Sequence, residues 1–188
     1  MSDVKIPLVS LKHVVPEDLE YYLEMKASQG LMLKPLGQMG LFYYEFAKQK
    51  PQKCRYVVDC TQIPKERYFP RMAEMEWEYL GKVGNCIIWR KCYEKNRPDD
   101  IVDHPYRQRY CRMLGIIFLI IMLLCLIAAI ALLVGAKYEM QYGISRYRWR
   151  YIIEAALQIP FILYFGWGAR KLLSFKERMP RKKASIKE

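Results

Sequence analysis

The sequence predicts an α+β fold in which a tandem β-α-β-β repeat forms a two-layer sandwich with a mainly antiparallel sheet, followed by a two-helix transmembrane hairpin. Three observations carry this. Residues 113–136, from Met113 to Ala136, contain no charged side chain. At about 1.5 Å of rise per residue that is enough to cross a hydrocarbon core of about 30 Å. The stretch Leu36-Gly37-Gln38-Met39-Gly40 returns as Leu80-Gly81-Lys82-Val83-Gly84, each time before an apolar strand. The net charge of +12 is concentrated behind the apolar run, so a soluble front and a basic end are distinct regions.

The front region divides in order. Leu8–Val14 is mostly apolar and predicts an opening strand. Pro16-Glu17-Asp18 starts a helix, because proline suits a first turn and acids complement the positive helix end. Leu19, Tyr22, Leu23 and Met25 recur at helical spacing, and Gln29-Gly30 closes the segment. Leu31-Met32-Leu33 and Leu41–Phe46 read as strands around a turn at residues 37–40. Arg55–Cys60, rich in β-branched and aromatic residues, is the next strand. Thr61–Pro64 turns the chain into a helix over about Lys65–Glu76 that presents Tyr68, Phe69, Met72 and Met75. Trp77–Leu80, a turn at Gly81–Gly84 and the strand Cys86–Cys92 complete the second copy. One repeat cannot bury its sheet face alone, and two together can. Residues 1–106 are therefore expected to fold without the membrane part.

The residues carry a resemblance. The series Tyr22…Met25-Lys26-Ala27…Gly30-Leu31…Leu33, then Tyr43-Tyr44-Glu45-Phe46, Tyr56-Val57-Val58-Asp59, and Trp77-Glu78-Tyr79…Gly84-Asn85…Trp89-Arg90-Lys91 resembles the bacterial DUF2812 family. The pattern of that family is a helix ending in A-x-x-G-W-x-L, a Y-x-F strand, a Y-R-x-D-Y strand, and G-W-E-Y-V…F-R-K. The resemblance covers about residues 8–93. Leu31 stands for the family's Trp, Glu76 for the Gly before Trp77, and Trp89 for Phe, all read as aromatic or packing positions. The resemblance implies an uncharacterised domain with trailing membrane helices, set in Gram-positive genomes near PadR-type regulators. It implies no catalytic residues.

The expected layout is a cytoplasmic domain over residues 1–93, a linker over 94–112, spans at 113–136 and 151–169, an external loop at 137–150 and a basic tail at 170–188. The second span is weaker, being interrupted by Glu154, Gln158 and Pro160, while Tyr164 and Trp167 suit the interface. Arg107, Arg109 and Arg112 flank the first span, and Arg170, Lys171, Lys176, Arg178, Arg181, Lys182 and Lys183 follow the second. The positive-inside bias then places both termini in the cytoplasm of a bacterial cell (inner) membrane. The front has no apolar run of signal-peptide length, so no export signal is expected there.

Composition also narrows the chemistry. Residues 1–112 carry 19 Lys/Arg against 15 Asp/Glu, too even a balance for a phosphate-binding face, so nucleic acid is not an expected partner. The basic tail suits anionic lipid of the bilayer, and a protein partner is expected for the domain. No metal site or cofactor is expected. The cysteines lack the close pairing of zinc motifs. Cys54/Cys60 and Cys86/Cys92 each lie six apart on predicted strands, on one face but about 20 Å from each other. Reduced thiols in a cytosolic domain are the expectation, for Cys111 and Cys125 as well.

No phosphate loop, zinc-helix motif or nucleophile elbow occurs, so no catalysis is expected. His104 beside Asp103 lies in a solvated linker with no pocket to tune it. Asp59, a carboxylate inside an apolar strand, is a candidate ligand contact or a strand-end residue bonding the next backbone N–H groups. Tyr44, Tyr56, Trp77 and Trp89 are candidates for a pocket or partner groove, or for plain core. Glu154, an acid at membrane depth, is a functional candidate or the partner of Arg150 one turn away. The expected function is a membrane-anchored interaction or regulatory module that binds a partner protein or small ligand. The alternative is an accessory subunit of a membrane transporter.

Overall fold

A computed structural model of the protein describes residues 3–37, 42–60, 67–99, 101–102, 104–141 and 148–175. The elements are β1 (Val4–Pro7), α1 (Val9–Lys12), α2 (Pro16–Ser28), β2 (Leu31–Leu33), β3 (Tyr43–Lys48), β4 (Cys54–Asp59), α3 (Tyr68–Glu74), β5 (Glu78–Val83), β6 (Cys86–Cys92), α4 (His104–Gln141) and α5 (Arg148–Ser174). The fold is an α+β arrangement of antiparallel strands and helices, with two long apolar helices at the end. Two compact units divide it, one reaching Tyr110 and the other spanning Cys111–Phe175.

The strands form two three-stranded sheets, ordered β1-β3-β2 and β4-β6-β5. Each copy of the repeat thus pairs its third strand with both its first and its second, all antiparallel. The copies meet at equivalent positions: Leu36 N–H donates to the carbonyl of Leu80, its counterpart in the second copy. Gly81 is needed there. Its φ is +129°, and a Cβ on it would lie 2.8 Å from Cβ of Leu36.

Several expected boundaries move. The expected strand Leu8–Val14 is not a strand: β1 lies before it at Val4–Pro7, Leu8 takes a left-handed φ of 56° that breaks the extended chain, and Val9–Lys12 form α1. Gly81 sits in a β-bulge inside β5, not in a turn, and the chain reverses at Gly84-Asn85. The expected turns around residues 38–40 and 61–64 lie outside the described residues. Helix begins at His104 within the expected linker, where Pro105 suits a first turn.

The largest core lies between the inner faces of the two sheets and α2. Leu23, Tyr44, Phe46, Tyr56, Leu80 and Ile88 are fully buried in it. A second core lies between the outer face of β4–β6 and α3, built from Val57, Met72, Trp77, Ile87 and Trp89. Strand alternation explains the split, since Tyr56 and Val58 point one way and Val57 and Asp59 the other.

Helix α2 also closes the open edge of β4. Glu20 Oε1 accepts the Val58 N–H at 2.9 Å and Glu24 Oε1 accepts the Tyr56 N–H at 3.4 Å. The spacings match: four residues of helix rise about 6 Å, and two residues of strand about 6.7 Å. Two carboxylates thus take the place of a neighbouring strand and blunt an edge that would otherwise template aggregation. Arg107 neutralises Glu20 at 2.7 Å, with Glu20 5% and Arg107 2% exposed. Arg107, expected as a membrane-flanking charge, is instead a buried part of the first unit.

The cysteine expectation is overturned. Cys54 is bridged to Cys92 and Cys60 to Cys86. Each pair with a common face is too far apart along its own strand, but β4 and β6 run antiparallel. Equal six-residue spacings then bring Cys54 opposite Cys92 and carry Cys60 to Cys86 at the other end of the same ladder.

In the second unit, α4 and α5 lie antiparallel and close. A Cβ on Gly168 would come within 2.6 Å of the Phe118 ring, and one on Gly115 within 2.9 Å of Leu173. Small residues that admit a neighbour's bulk are the way apolar helices approach one another. Their other faces stay open. The most apolar windows have mean hydropathies of 3.5 and 1.4, with 6% and 17% of their residues buried. Both helices are long and apolar enough to cross a membrane.

Candidate functional site

The outer face of β4–β6 holds a chain of polar contacts under a cluster of rings. Asp59 ends β4 on that face and is 4% exposed. The helix that crosses it starts at Tyr68, whose hydroxyl donates to Oδ2 of Asp59. Trp89, on the neighbouring strand, donates from Nε1 to the Tyr68 hydroxyl at 3.0 Å. Burial raises the Tyr68 pKa, and the adjacent Asp59 raises it further, so the hydroxyl keeps its proton. Tyr68 therefore both donates and accepts, which fixes its ring and the Trp89 ring together.

Two more rings complete the cluster. Phe69 follows Tyr68 on α3, and Tyr79 is the register partner of Trp89 across β5–β6. Ring centroids are 5.8 Å apart for Phe69 and Trp89, 5.7 Å for Phe69 and Tyr79, and 5.5 Å for Tyr79 and Trp89. The Tyr79–Trp89 and Phe69–Tyr79 pairs meet edge to face, the arrangement the ring quadrupoles favour. Trp89 is buried, whereas Phe69 is 39% and Tyr79 44% exposed. The result is a rigid aromatic platform, anchored from below by a carboxylate and open to solvent above. Its chemistry is that of apolar and aromatic contact, because the hydroxyl at its centre already has both roles filled.

Of the residues singled out from the sequence, Asp59 and Trp89 are brought together, with Tyr68 between them. Tyr44 and Tyr56 are not part of this site, since both are buried in the core between the sheets. Tyr44 accepts from Ser10 Oγ at 3.1 Å, and burial pushes its pKa up to about 12. Burial raises the Tyr56 pKa too, with the Arg90 guanidinium pulling the other way. Trp77 is buried in the second core, at the edge of a cavity of about 450 Å³ shared with Lys91 and Ile101. Phe69 and Tyr79 were missed as site residues. The signal was present for Tyr79, an aromatic two residues after Trp77 on a strand whose alternate residues turn outward.

A second concavity, about 710 Å³, is lined by Glu17, Glu24, Arg55, Arg97, His104 and Arg107 among others. Its charges face one another: Arg97 lies 3.0 Å and Arg55 3.4 Å from Glu24. This groove is compensated from within, which suits it to holding the chain after β6 against α2. Asp103, the expected companion of His104, lies outside the described residues.

In the apolar helices, Arg150 Nε donates to Glu154 Oε1 at 2.7 Å, the one-turn pair. Lys171 Nζ lies 5.1 Å from the centre of the Trp167 ring. Arg170 begins the basic tail with it, and Lys176, Arg178, Arg181, Lys182 and Lys183 lie outside the described residues.

A family model described as "Protein of unknown function (DUF2812)" matches residues 16–123. The match starts at the first residue of α2 and runs into the first half of α4. No curated protein and no solved structure matches the sequence.

Proposed function

Because the chain belongs to the DUF2812 family, whose function is unknown, we propose from its own geometry that it is a membrane-anchored interaction module. The soluble unit captures a partner protein on the Phe69–Tyr79 platform, and the helical hairpin holds that unit at a bilayer. The observation that carries this is the contrast within one ring cluster. Trp89 and Tyr68 are locked by hydrogen bonds, while Phe69 and Tyr79 pack against them with their outer faces in solvent. Rigid aromatics that lose little side-chain entropy on contact are what protein recognition sites use.

The membrane is a bacterial cell membrane and both termini face the cytoplasm. The positive-inside bias of residues 170–188 supports this, as do the two apolar helices and the Lys171–Trp167 contact at the end of α5. The tail draws on anionic lipid, each cation near such a surface contributing about 1 kcal/mol. A reporter active only in the cytoplasm is expected to work at either terminus and to be silent near Gln141. Activity near Gln141 together with the C-terminus would replace the second span with an interfacial helix.

The test of the docking site is co-purification of the full chain in mild detergent, comparing wild type with the Phe69→Ser/Tyr79→Ser variant. The expected result is a partner retained by the first and lost from the second, with the domain still folded and destabilised by less than about 1 kcal/mol. A second reading, accessory subunit of a membrane transporter, draws on the outward apolar side chains of α5, such as Leu157, Phe161 and Leu163. It expects a permease that co-purifies equally with both proteins.

A further inference from the structure

Two disulfides close the ends of one antiparallel ladder, and they differ in access. Cys60 and Cys86 are 1% and 8% exposed, and both belong to the core between the sheets. Cys54 is equally buried, but its partner Cys92 is exposed and lines a cavity of about 640 Å³ with Lys53 and Tyr93. We propose that Cys54–Cys92 is a thiol–disulfide exchange site for a dithiol reductant, and that Cys60–Cys86 is a static staple.

The chemistry follows from which sulfur can be reached. A thiolate of the reductant enters the cavity and attacks Sγ of Cys92, along the axis of the bond to Cys54. The cavity wall carries one charge of each sign, Lys53 and Glu94, so access to Cys92 rather than charge sets the route. The sulfur–sulfur bond breaks, its electron pair leaves on Sγ of Cys54, and that sulfur takes up a proton. The mixed disulfide on Cys92 is then resolved when the reductant's second thiolate attacks the reductant's own bridged sulfur. Cys92 leaves as a thiolate and takes up the second proton. Two electrons and two protons have passed to the protein, and the reductant departs as its disulfide.

The fold is arranged to survive this. The Tyr93 N–H donates to the Lys53 carbonyl at 2.9 Å just beyond the bridge, so the strand ends stay paired after it opens. What is released is a covalent tie at the end of β6, where the connection towards α4 begins. At the other end no such opening is available, because both sulfurs of Cys60–Cys86 lie inside the core. Thiol–disulfide exchange needs access to the attacked residue, and Cys92 has it where Cys60 and Cys86 do not.

The test uses the full-length protein in detergent micelles, purified without reductant and exposed to graded dithiothreitol. Thiols are capped with a maleimide, counted by mass and located by peptide mapping. Cys111 and Cys125 supply the starting thiol count. The expected result is two new thiols, at Cys54 and Cys92, appearing at least ~10-fold faster than thiols at Cys60 and Cys86. In denaturant the two bridges are expected to open alike. Equal rates under native conditions would overturn the proposal, as would earlier opening of Cys60–Cys86 or resistance of both bridges until denaturant is added. Four thiols that stay reduced in the presence of oxidised glutathione would overturn it too.

Discussion

The two copies of the repeat share a strand order and differ in what their helices do. Helix α2 of the first copy has 13 residues and turns its carboxylates onto the open edge of β4, which belongs to the second copy. Helix α3 of the second copy has 7 residues and lies over the outer face of its own sheet. The first copy therefore holds the unit together through Glu20 and Glu24, with Arg107 of α4 neutralising Glu20. The second carries the exposed rings of Phe69 and Tyr79. The comparison teaches that one scaffold used twice can turn one helix to closing a sheet edge and leave rings exposed beside the other.

Breaking the first helix's role should have the largest effect. Glu20→Ala leaves Arg107 charged and buried without its nearest partner and frees the Val58 N–H, a cost of about 3–5 kcal/mol. Chemical denaturation of the full chain in detergent should show it as a lower midpoint for the soluble unit. Next comes the junction between copies. Gly81→Val would place a branched side chain against Leu36 at a positive φ, and the same measurement should show a loss of about 2 kcal/mol or more. The platform should matter much less for stability. Phe69→Ser/Tyr79→Ser should cost under about 1 kcal/mol in stability, because both rings are already half in water.

The smallest effect concerns Glu76, which takes a left-handed φ of 59°. In the family pattern glycine stands there, and the backbone gives the reason. Glu76→Gly removes the strain of a side chain at positive φ, set against the entropy that glycine loses on folding. A net gain of a few tenths of a kcal/mol is expected in thermal melts. A loss would mean that the Glu76–Lys91 pair at 3.1 Å outweighs the backbone.

Much of this organisation was legible in the sequence. The repeat of Leu36–Gly40 at Leu80–Gly84, the strand Cys86–Cys92 and the helix from Pro16 follow from patterns that local physics enforces. The reading of Glu76 as a packing position missed the backbone, because a φ angle leaves no trace in side-chain type. The bridges were missed because spacing was weighed along each strand, whereas the partner of each cysteine lies across the ladder. Arg107 was read as a membrane flank because charge counting cannot see that Glu20, far away in sequence, waits in the fold. The platform was half visible: Asp59 and Trp89 stood out by type, but Tyr68 and Phe69 became site residues only once α3 crossed the sheet.

The contrast between the helices can be tested in living cells with one photo-crosslinking amino acid placed singly in the full chain. One variant carries it at Tyr79 on the platform, the other at Tyr21, which is 71% exposed on α2 of the first copy. Irradiation should give a discrete protein adduct from position 79 and none from position 21. Equal adducts from both positions, or none from position 79 with the protein intact in the membrane, would contradict the assignment of recognition to the second copy.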